Sequence, residues 1–128
     1  MIRGIGIDMV NIHEIALYME RFGAPFINRT FTEREVSASA LSPNPAEYLS
    51  TRFAAKEAVF KAVAHFTKRK GFDLRIVETL NERDGYPFVQ VNEKLQILLD
   101  EAGIETLHIS TTTENDYALA MVVASYRP

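Results

Sequence analysis

One long helical segment does most to restrict how this chain of 128 residues can fold. The segment AEYLSTRFAAKEAVFKAVAHF, residues 46–66, is rich in alanine and contains neither glycine nor proline. Pro45 precedes it at a position that suits the first residue of a helix. The basic segment TKRKG follows it, where the helix dipole favours positive charge. The sequence therefore predicts a long central helix, around which the shorter elements must pack.

The remaining segments predict shorter elements on both sides of this helix. Hydrophobic patterns indicate a strand and two helices before it, and two strands, a helix and two strands after it. This order predicts one α+β domain over residues 1–128, with a mainly antiparallel sheet packed around the long helix. The expected strands are 2–9, 72–80, 87–92, 106–112 and 117–126, and the expected shorter helices are 12–22, 33–39 and 93–102.

Capping residues support several of these boundaries. Asn11 and Asn92 precede predicted helices and can accept hydrogen bonds from their first amides. Thr32 and Glu35 have the spacing of a capping box. Gly103 follows the helix predicted over residues 93–102 and suits its end. Three residues are expected to end the first helix, namely Gly23, Pro25 and Asn28.

Composition limits the class of protein. The net charge of −3 gives no overall basic field, which disfavours non-specific nucleic-acid binding. The chain has no cysteine, which excludes disulfides, thiolate metal sites and a cysteine nucleophile and is compatible with a reducing cytoplasm. The opening MIRGIGID lacks an apolar signal core, and no apolar run has the length of a membrane helix. We therefore expect a cytoplasmic protein without a membrane segment.

Asp8 is an acid near the end of a strand that is otherwise apolar, GIGIDMV. By strand alternation, Asp8 shares a face with Gly4 and Gly6, while Ile5, Ile7 and Met9 share the other. A buried carboxylate must be solvated, hydrogen-bonded or bound to a cation. The two glycines are expected to leave open space in which a ligand can approach. The alternative is that Asp8 caps the turn into the next helix.

The long helix carries further charges. Lys56 falls within an apolar stripe and must pair, extend to solvent or meet a ligand or subunit. Glu57 borders this stripe, and Lys61 follows one turn later. This (i, i+4) spacing alone indicates an ordinary ion pair on the helix surface. Together with Asp8, Glu57 would offer the oxygen ligands that Mg²⁺ prefers, while Arg52 and Lys61 could neutralise phosphate oxygens. By helical spacing the stripe contains Leu49, Phe53, Phe60, Val63 and Ala64.

Several motifs resemble one family across nearly the whole chain. GIGIDMV at residues 4–10 is similar to the family pattern G-I-G-x-D-[IM]-V, and RFAAKEAVFKA at residues 52–62 is similar to R-F-A-A-K-E-A-x-x-K-A. Shorter pieces, RTFTEREV, GYPFV and DYALAMVV, also correspond. The chain thus resembles the holo-[acyl-carrier-protein] synthases, the small homotrimeric class of 4′-phosphopantetheinyl transferases.

The resemblance implies a trimer with active sites at subunit boundaries and a Mg²⁺-dependent reaction. 4′-Phosphopantetheine would pass from coenzyme A to a serine of apo acyl carrier protein, and adenosine 3′,5′-bisphosphate would be released. The reaction would serve fatty acid biosynthesis. Asp8 and Glu57 would bind Mg²⁺, and Lys61 would face the pyrophosphate, these three forming the catalytic set. Coenzyme A would also be contacted by Arg52 at a phosphate, by Pro87 near the adenine, and by the hydroxyls of Thr112 and Thr113.

The resemblance also implies that the first helix docks an acidic carrier protein through Met19, Arg21, Phe22 and Arg29. The chain departs from the family at three places. Ala64 and Phe66 replace two glycines after Lys61. Thr113 replaces a phosphate-contacting histidine, for which His65 or His108 could compensate. Glu14 stands where a basic residue is common. These departures leave two hypotheses, a working transferase or a catalytically weak paralogue that binds nucleotide or a partner as a trimer.

Overall fold

A computed structural model describes residues 1–126. The prediction of an α+β fold is confirmed. None of the helices in this described range is long and apolar enough to cross a membrane. The elements follow in the order β1 (Ile2–Asn11), α1 (Ile12–Thr30), α2 (Glu33–Ala40), α3 (Pro45–Val63), β2 (Glu78–Asn81), β3 (Pro87–Gln90), α4 (Glu93–Ala102), β4 (Thr106–Glu114) and β5 (Tyr117–Ser125), with short 3₁₀ turns at Ala64–Phe66 and Leu74–Ile76.

The strands form two antiparallel sheets. β5 lies between β1 and β4 in a three-stranded sheet, and β2 pairs with β3 in a separate hairpin. Asp8 pairs with Ala120 in the β1–β5 register. The strand predicted over 72–80 is shorter than expected, because its first part forms the 3₁₀ turn at Leu74–Ile76 and pairing begins at Glu78.

Helix α3 packs against β1 through backbone contacts rather than through interlocking side chains. A Cβ added to Gly6 would lie 1.8 Å from the carbonyl oxygen of Ala58, and one added to Gly4 would lie 2.4 Å from that of Ala62. The expectation that these glycines leave open space for a ligand was therefore wrong. The space beside β1 is filled by the helix itself, whose small alanines allow the close approach.

Helix α3 is buried around most of its circumference, not along one stripe. Its buried side chains are Leu49, Ser50, Arg52, Ala54, Ala55, Lys56, Ala58, Val59, Ala62 and Val63. Phe53 and Phe60, which the sequence placed on the apolar stripe, are only half-buried. The prediction of a long central helix is confirmed, and a 3₁₀ turn over residues 64–66 completes the expected segment.

The range Ile12–Thr30 contains two helical segments that meet at a break at Gly23, where the first helix was expected to end. Gly23 has φ 58° and ψ −143°, which is not a helical conformation, and Pro25 lies in the first turn of the helical segment that follows. Phe26 then turns inward and packs with Phe31 and Leu49 in a second, smaller core. This packing gives a physical reason for the second helical segment, which the sequence did not predict.

The predicted caps are all present. The side chains of Asn11 and Asn92 accept from the first amides of α1 and α4, and Thr32 and Glu35 form a complete capping box on α2. Gly103 ends α4 in the left-handed conformation. Since Asn11 supplies the cap of α1, the alternative in which Asp8 served that purpose does not hold.

Candidate active site

Asp8 and Lys61 lie together where β1 passes over α3. The Lys61 ammonium donates a hydrogen bond to Asp8 Oδ1 at 3.2 Å and another to the Ile7 carbonyl oxygen at 2.9 Å. The Lys61 side chain is 52% exposed and that of Asp8 is 17% exposed. The contact links residues 53 positions apart in the chain, so the fold brings together two of the three side chains to which the family resemblance gives a catalytic role.

Glu57, the third member, is half-buried on α3 beside this pair. Burial raises the pKa of Glu57, and the neighbouring Asp8 carboxylate raises it further, while the Lys61 ammonium partly lowers it. The two carboxylates are therefore close enough to repel one another. Such mutual repulsion is relieved when a cation is shared between them.

The donor set fits a hard divalent cation. Among residues 1–126, no group of three or more His, Cys, Asp or Glu side chains is placed to hold a metal ion. Two carboxylates with one exposed face suit Mg²⁺, which commonly keeps several waters and takes further ligands from a substrate phosphate. The arrangement of Asp8 and Glu57 is compatible with that coordination and does not resemble a closed structural metal site.

Arg52 forms the wall of a separate pocket of about 270 Å³. Its side chain is buried, and its Nη2 donates to the Tyr48 hydroxyl at 2.8 Å and to Asn81 Oδ1 at 3.0 Å. The Nε atom is buried without a partner in the described part of the chain. With the bond from Nη1 to the Thr51 hydroxyl at 3.4 Å, three hydrogen bonds hold the guanidinium in place.

Four of the five residues predicted to contact coenzyme A line this pocket. They come from α3, β3 and β4, and the pocket is completed mainly by hydroxyl-bearing side chains and one carboxylate, Glu47. Lys61 is not part of the lining. The four predicted residues are Arg52, Pro87, Thr112 and Thr113.

Neither His65 nor His108 lies near Thr113, the position at which the family resemblance implies a histidine. His108 contacts the Ser125 hydroxyl at 3.0 Å, and His65 packs edge-on against Phe66. Both lie outside the lining of the Arg52 pocket. The expectation that one of them could compensate is therefore not supported by their positions.

Lys56 belongs to a buried ionic network that the sequence did not reveal. Its ammonium lies 2.7 Å from Glu35 Oε1 and also donates to the carbonyl oxygens of Leu74 and Val77. Both charged side chains are fully buried. Burial lowers the pKa of Lys56, and Glu35 opposes that shift. Of the alternatives for Lys56, pairing is the one observed, and the partner is the capping-box glutamate of α2.

The residues predicted to dock a carrier protein all lie on α1. Arg21, Phe22 and Arg29 are exposed, whereas Met19 is half-buried and packs against the second core. Three of the four are thus available at the surface, and Phe22 adds a large apolar contact.

Comparisons with known proteins agree with this arrangement. A curated holo-[acyl-carrier-protein] synthase of Thermodesulfovibrio yellowstonii is 39% identical over 126 residues, covering 96% of this chain and 98% of its own. The crystal structure of holo-[acyl-carrier-protein] synthase from Neisseria meningitidis superposes with a TM-score of 0.87 at 36% identity, covering 98% of this chain and 99% of that one.

A solved coenzyme A complex of the synthase from Chronobacterium ammoniagenes superposes with a TM-score of 0.83 at 26% identity, covering 98% of each chain. A sequence profile of the 4′-phosphopantetheinyl transferase superfamily matches residues 4–122. The prediction of an enzyme of the holo-[acyl-carrier-protein] synthase type is confirmed, and the chain belongs to the 4′-phosphopantetheinyl transferase superfamily.

Proposed function

We propose that this protein transfers 4′-phosphopantetheine from coenzyme A to a serine of an apo acyl carrier protein. The observation that carries the proposal is the proximity of Asp8, Glu57 and Lys61, in which two half-buried carboxylates lie beside an exposed ammonium. The coenzyme A complex of the relative from Chronobacterium ammoniagenes supports the choice of donor.

The transfer exchanges one phosphorus–oxygen bond for another. The serine oxygen bonds to the phosphorus next to pantetheine, and the bond from that phosphorus to the bridging oxygen of the diphosphate breaks. Adenosine 3′,5′-bisphosphate leaves with the bond electrons. The serine proton goes to Glu57 or to water. Positioning and charge stabilisation carry most of the rate in phosphoryl transfer of this kind.

Each site residue has a distinct role in this proposal. Asp8 and Glu57 would hold Mg²⁺, which would supply positive charge to neutralise the phosphate oxygens. Lys61 adds a second positive charge to the same oxygens. Arg52, which lines the pocket of about 270 Å³, places its positive charge near a phosphate of coenzyme A.

The exposed face of β1 supports a homotrimer. Ile5, Ile7 and Met9 are 61%, 53% and 60% exposed and form one continuous apolar row on the side of β1 that faces away from α3. Tyr117 and Met121 of β5 extend that apolar surface. A patch of this kind usually marks a contact with another protein. Since Asp8 lies on the same strand, such a contact would put the site at a subunit boundary.

Exposed side chains on α1 support carrier docking. Arg21 and Arg29 would attract an acidic carrier, while Phe22 supplies an apolar anchor. Glu14, exposed at the start of the helix, opposes that attraction. We therefore propose docking that relies more on the apolar contact than on long-range charge. With an acyl carrier protein as substrate, we also propose that the protein acts in the cytoplasm and takes part in fatty acid biosynthesis.

One assay tests the proposed reaction. The protein is mixed with apo acyl carrier protein, coenzyme A and Mg²⁺, and the carrier is weighed by mass spectrometry. The expected result is a phosphopantetheine adduct that is lost in Asp8→Asn and in Glu57→Gln but kept in Asp100→Asn, an exposed acid on α4. If no carrier gains the adduct and calorimetry detects no coenzyme A binding, the transferase proposal fails and the weak-paralogue alternative stands.

A further inference from the structure

The Lys61 ammonium and a divalent cation would both need the carboxylate oxygens of Asp8. Lys61 donates to Asp8 Oδ1 at 3.2 Å, and its second bond, at 2.9 Å to the carbonyl oxygen of Ile7, fixes it against β1. β1 is an edge strand of the described sheet. A carboxylate oxygen that is engaged by an ammonium is a poorer ligand for a metal, and the two positive charges repel each other.

The Lys61 ammonium can also move away from Asp8 easily. The side chain is 52% exposed, and among residues 1–126 its hydrogen bonds are those to Asp8 and Ile7. Because the Lys61 ammonium stays in contact with water, this pair is weaker than a fully buried one. A diphosphate group placed beside the site would offer the ammonium a second set of anionic oxygens, and Lys61 could then leave Asp8 at small cost.

We propose that Lys61 competes with the divalent cation for Asp8, and that binding of the diphosphate ligand removes this competition. Metal and diphosphate then bind cooperatively through one lysine, in addition to any direct contact between them. By linkage, whatever the diphosphate adds to metal affinity, the metal adds equally to diphosphate affinity. The inference rests on the proposed role of Asp8 as a metal ligand.

The first test titrates the protein with Mn²⁺, used as a probe for Mg²⁺, and follows free Mn²⁺ by electron paramagnetic resonance. No coenzyme A or carrier is present. Lys61→Met should bind Mn²⁺ at least about fivefold more tightly than the unaltered protein, since a positive charge close to the site is removed. Lys61→Arg should restore the weaker binding. Lys94→Met, which removes an exposed lysine of α4, should leave the affinity unchanged.

Asp8→Asn identifies which Mn²⁺ binding belongs to this site. Asp8-dependent binding that is equal in the unaltered protein and Lys61→Met overturns the competition alone. A lack of any Asp8-dependent binding in both proteins overturns the metal site and the inference together. A change in Lys94→Met as large as that in Lys61→Met would assign the effect to net charge and would also overturn the inference.

The second test measures coenzyme A binding by calorimetry in the presence of a chelator. Asp8→Asn should strengthen this metal-free binding, because it releases Lys61 for the diphosphate. The gain should be much smaller when Asp8→Asn is made in a Lys61→Met background. An equal gain in both backgrounds overturns the release of Lys61. Failure of every variant to bind coenzyme A refutes the coupling to diphosphate and the proposed function, while the Mn²⁺ titration still decides the competition.

Discussion

Replacing Gly6 by alanine tests the close contact between β1 and α3. The added Cβ would lie 1.8 Å from the Ala58 carbonyl oxygen and 3.0 Å from the Ala62 amide nitrogen. The backbone of Gly6 does not have a positive φ, so the effect of the substitution comes from space alone. The obstructing atoms belong to a helix backbone and cannot rotate away as a side chain would.

The expected cost follows from how far the two elements must separate. Real Cβ atoms essentially never approach a heavy atom within 3.0 Å, so β1 and α3 must move apart by more than about 1 Å locally at a densely packed interface. Overpacking a core usually costs about 1–3 kcal/mol. Because both partners here are backbone, we expect about 3 kcal/mol, or a fall in melting temperature of roughly 10 °C.

Thermal unfolding followed by circular dichroism measures this cost, and Gly71→Ala is the matched control. A Cβ at Gly71 would meet nothing within 4 Å, so we expect a change within about 0.5 kcal/mol. Gly4→Ala should lie between the two, since one of its close contacts is the movable ring of Phe66. Melting of Gly6→Ala within about 2 °C of the unaltered protein would refute the reasoning.

Three further changes test the charged groups of α3. Lys56→Met should cost about 3–5 kcal/mol by chemical denaturation because it leaves the Glu35 carboxylate buried without its cation. Adding Glu35→Gln removes that charge but keeps an oxygen for the amides of Thr32 and Thr79, so it should recover part of the loss; equal losses in the two variants would contradict this. The pKa of Glu57 is raised above its ordinary 4.5 on folding, so its contribution to stability is present below pH 4.5 and is lost as the pH rises through the folded-state pKa. The melting temperature of Glu57→Gln minus that of the unaltered protein should therefore increase from pH 4 to pH 8. A difference that stays constant over this range would disprove the pKa shift. Arg52→Lys should cost about 1–3 kcal/mol through its lost hydrogen bonds, and a double-mutant cycle with Asn81→Ala should show coupling between the two side chains.

Local signals in the sequence predicted the elements well. Asn92 and Gly103 bound α4 because a cap accepts from amides only three residues away and a glycine adopts the left-handed turn by itself. The kink at Gly23 shows the limit of such signals. The helix breaks at this glycine as local signals indicate, but a second segment begins just beyond it because Phe26 gains a buried position that those signals do not reveal.

The candidate site was only partly predictable. Its members were recognised by resemblance and by residue type, but the contact between Lys61 and Asp8 depends on how the chain folds over more than 50 residues. Glu35 was recognised only as a capping residue, since one carboxylate can serve both an amide of its own helix and a distant ammonium. Nothing in local spacing distinguishes these uses.

The misassigned glycines show why the two sides of α3 must be considered together. Absence of a side chain looks the same in sequence whether a ligand or a helix occupies the space. Here Gly6 admits α3 on one side, and the Lys56–Glu35 pair holds α3 on the other. Lys56 and Glu57 are neighbours in the chain, but a turn of about 100° per residue points them to different surroundings. The position of Glu57 beside Asp8 therefore depends on contacts that neither carboxylate makes, and changes on either side of the helix should alter the site.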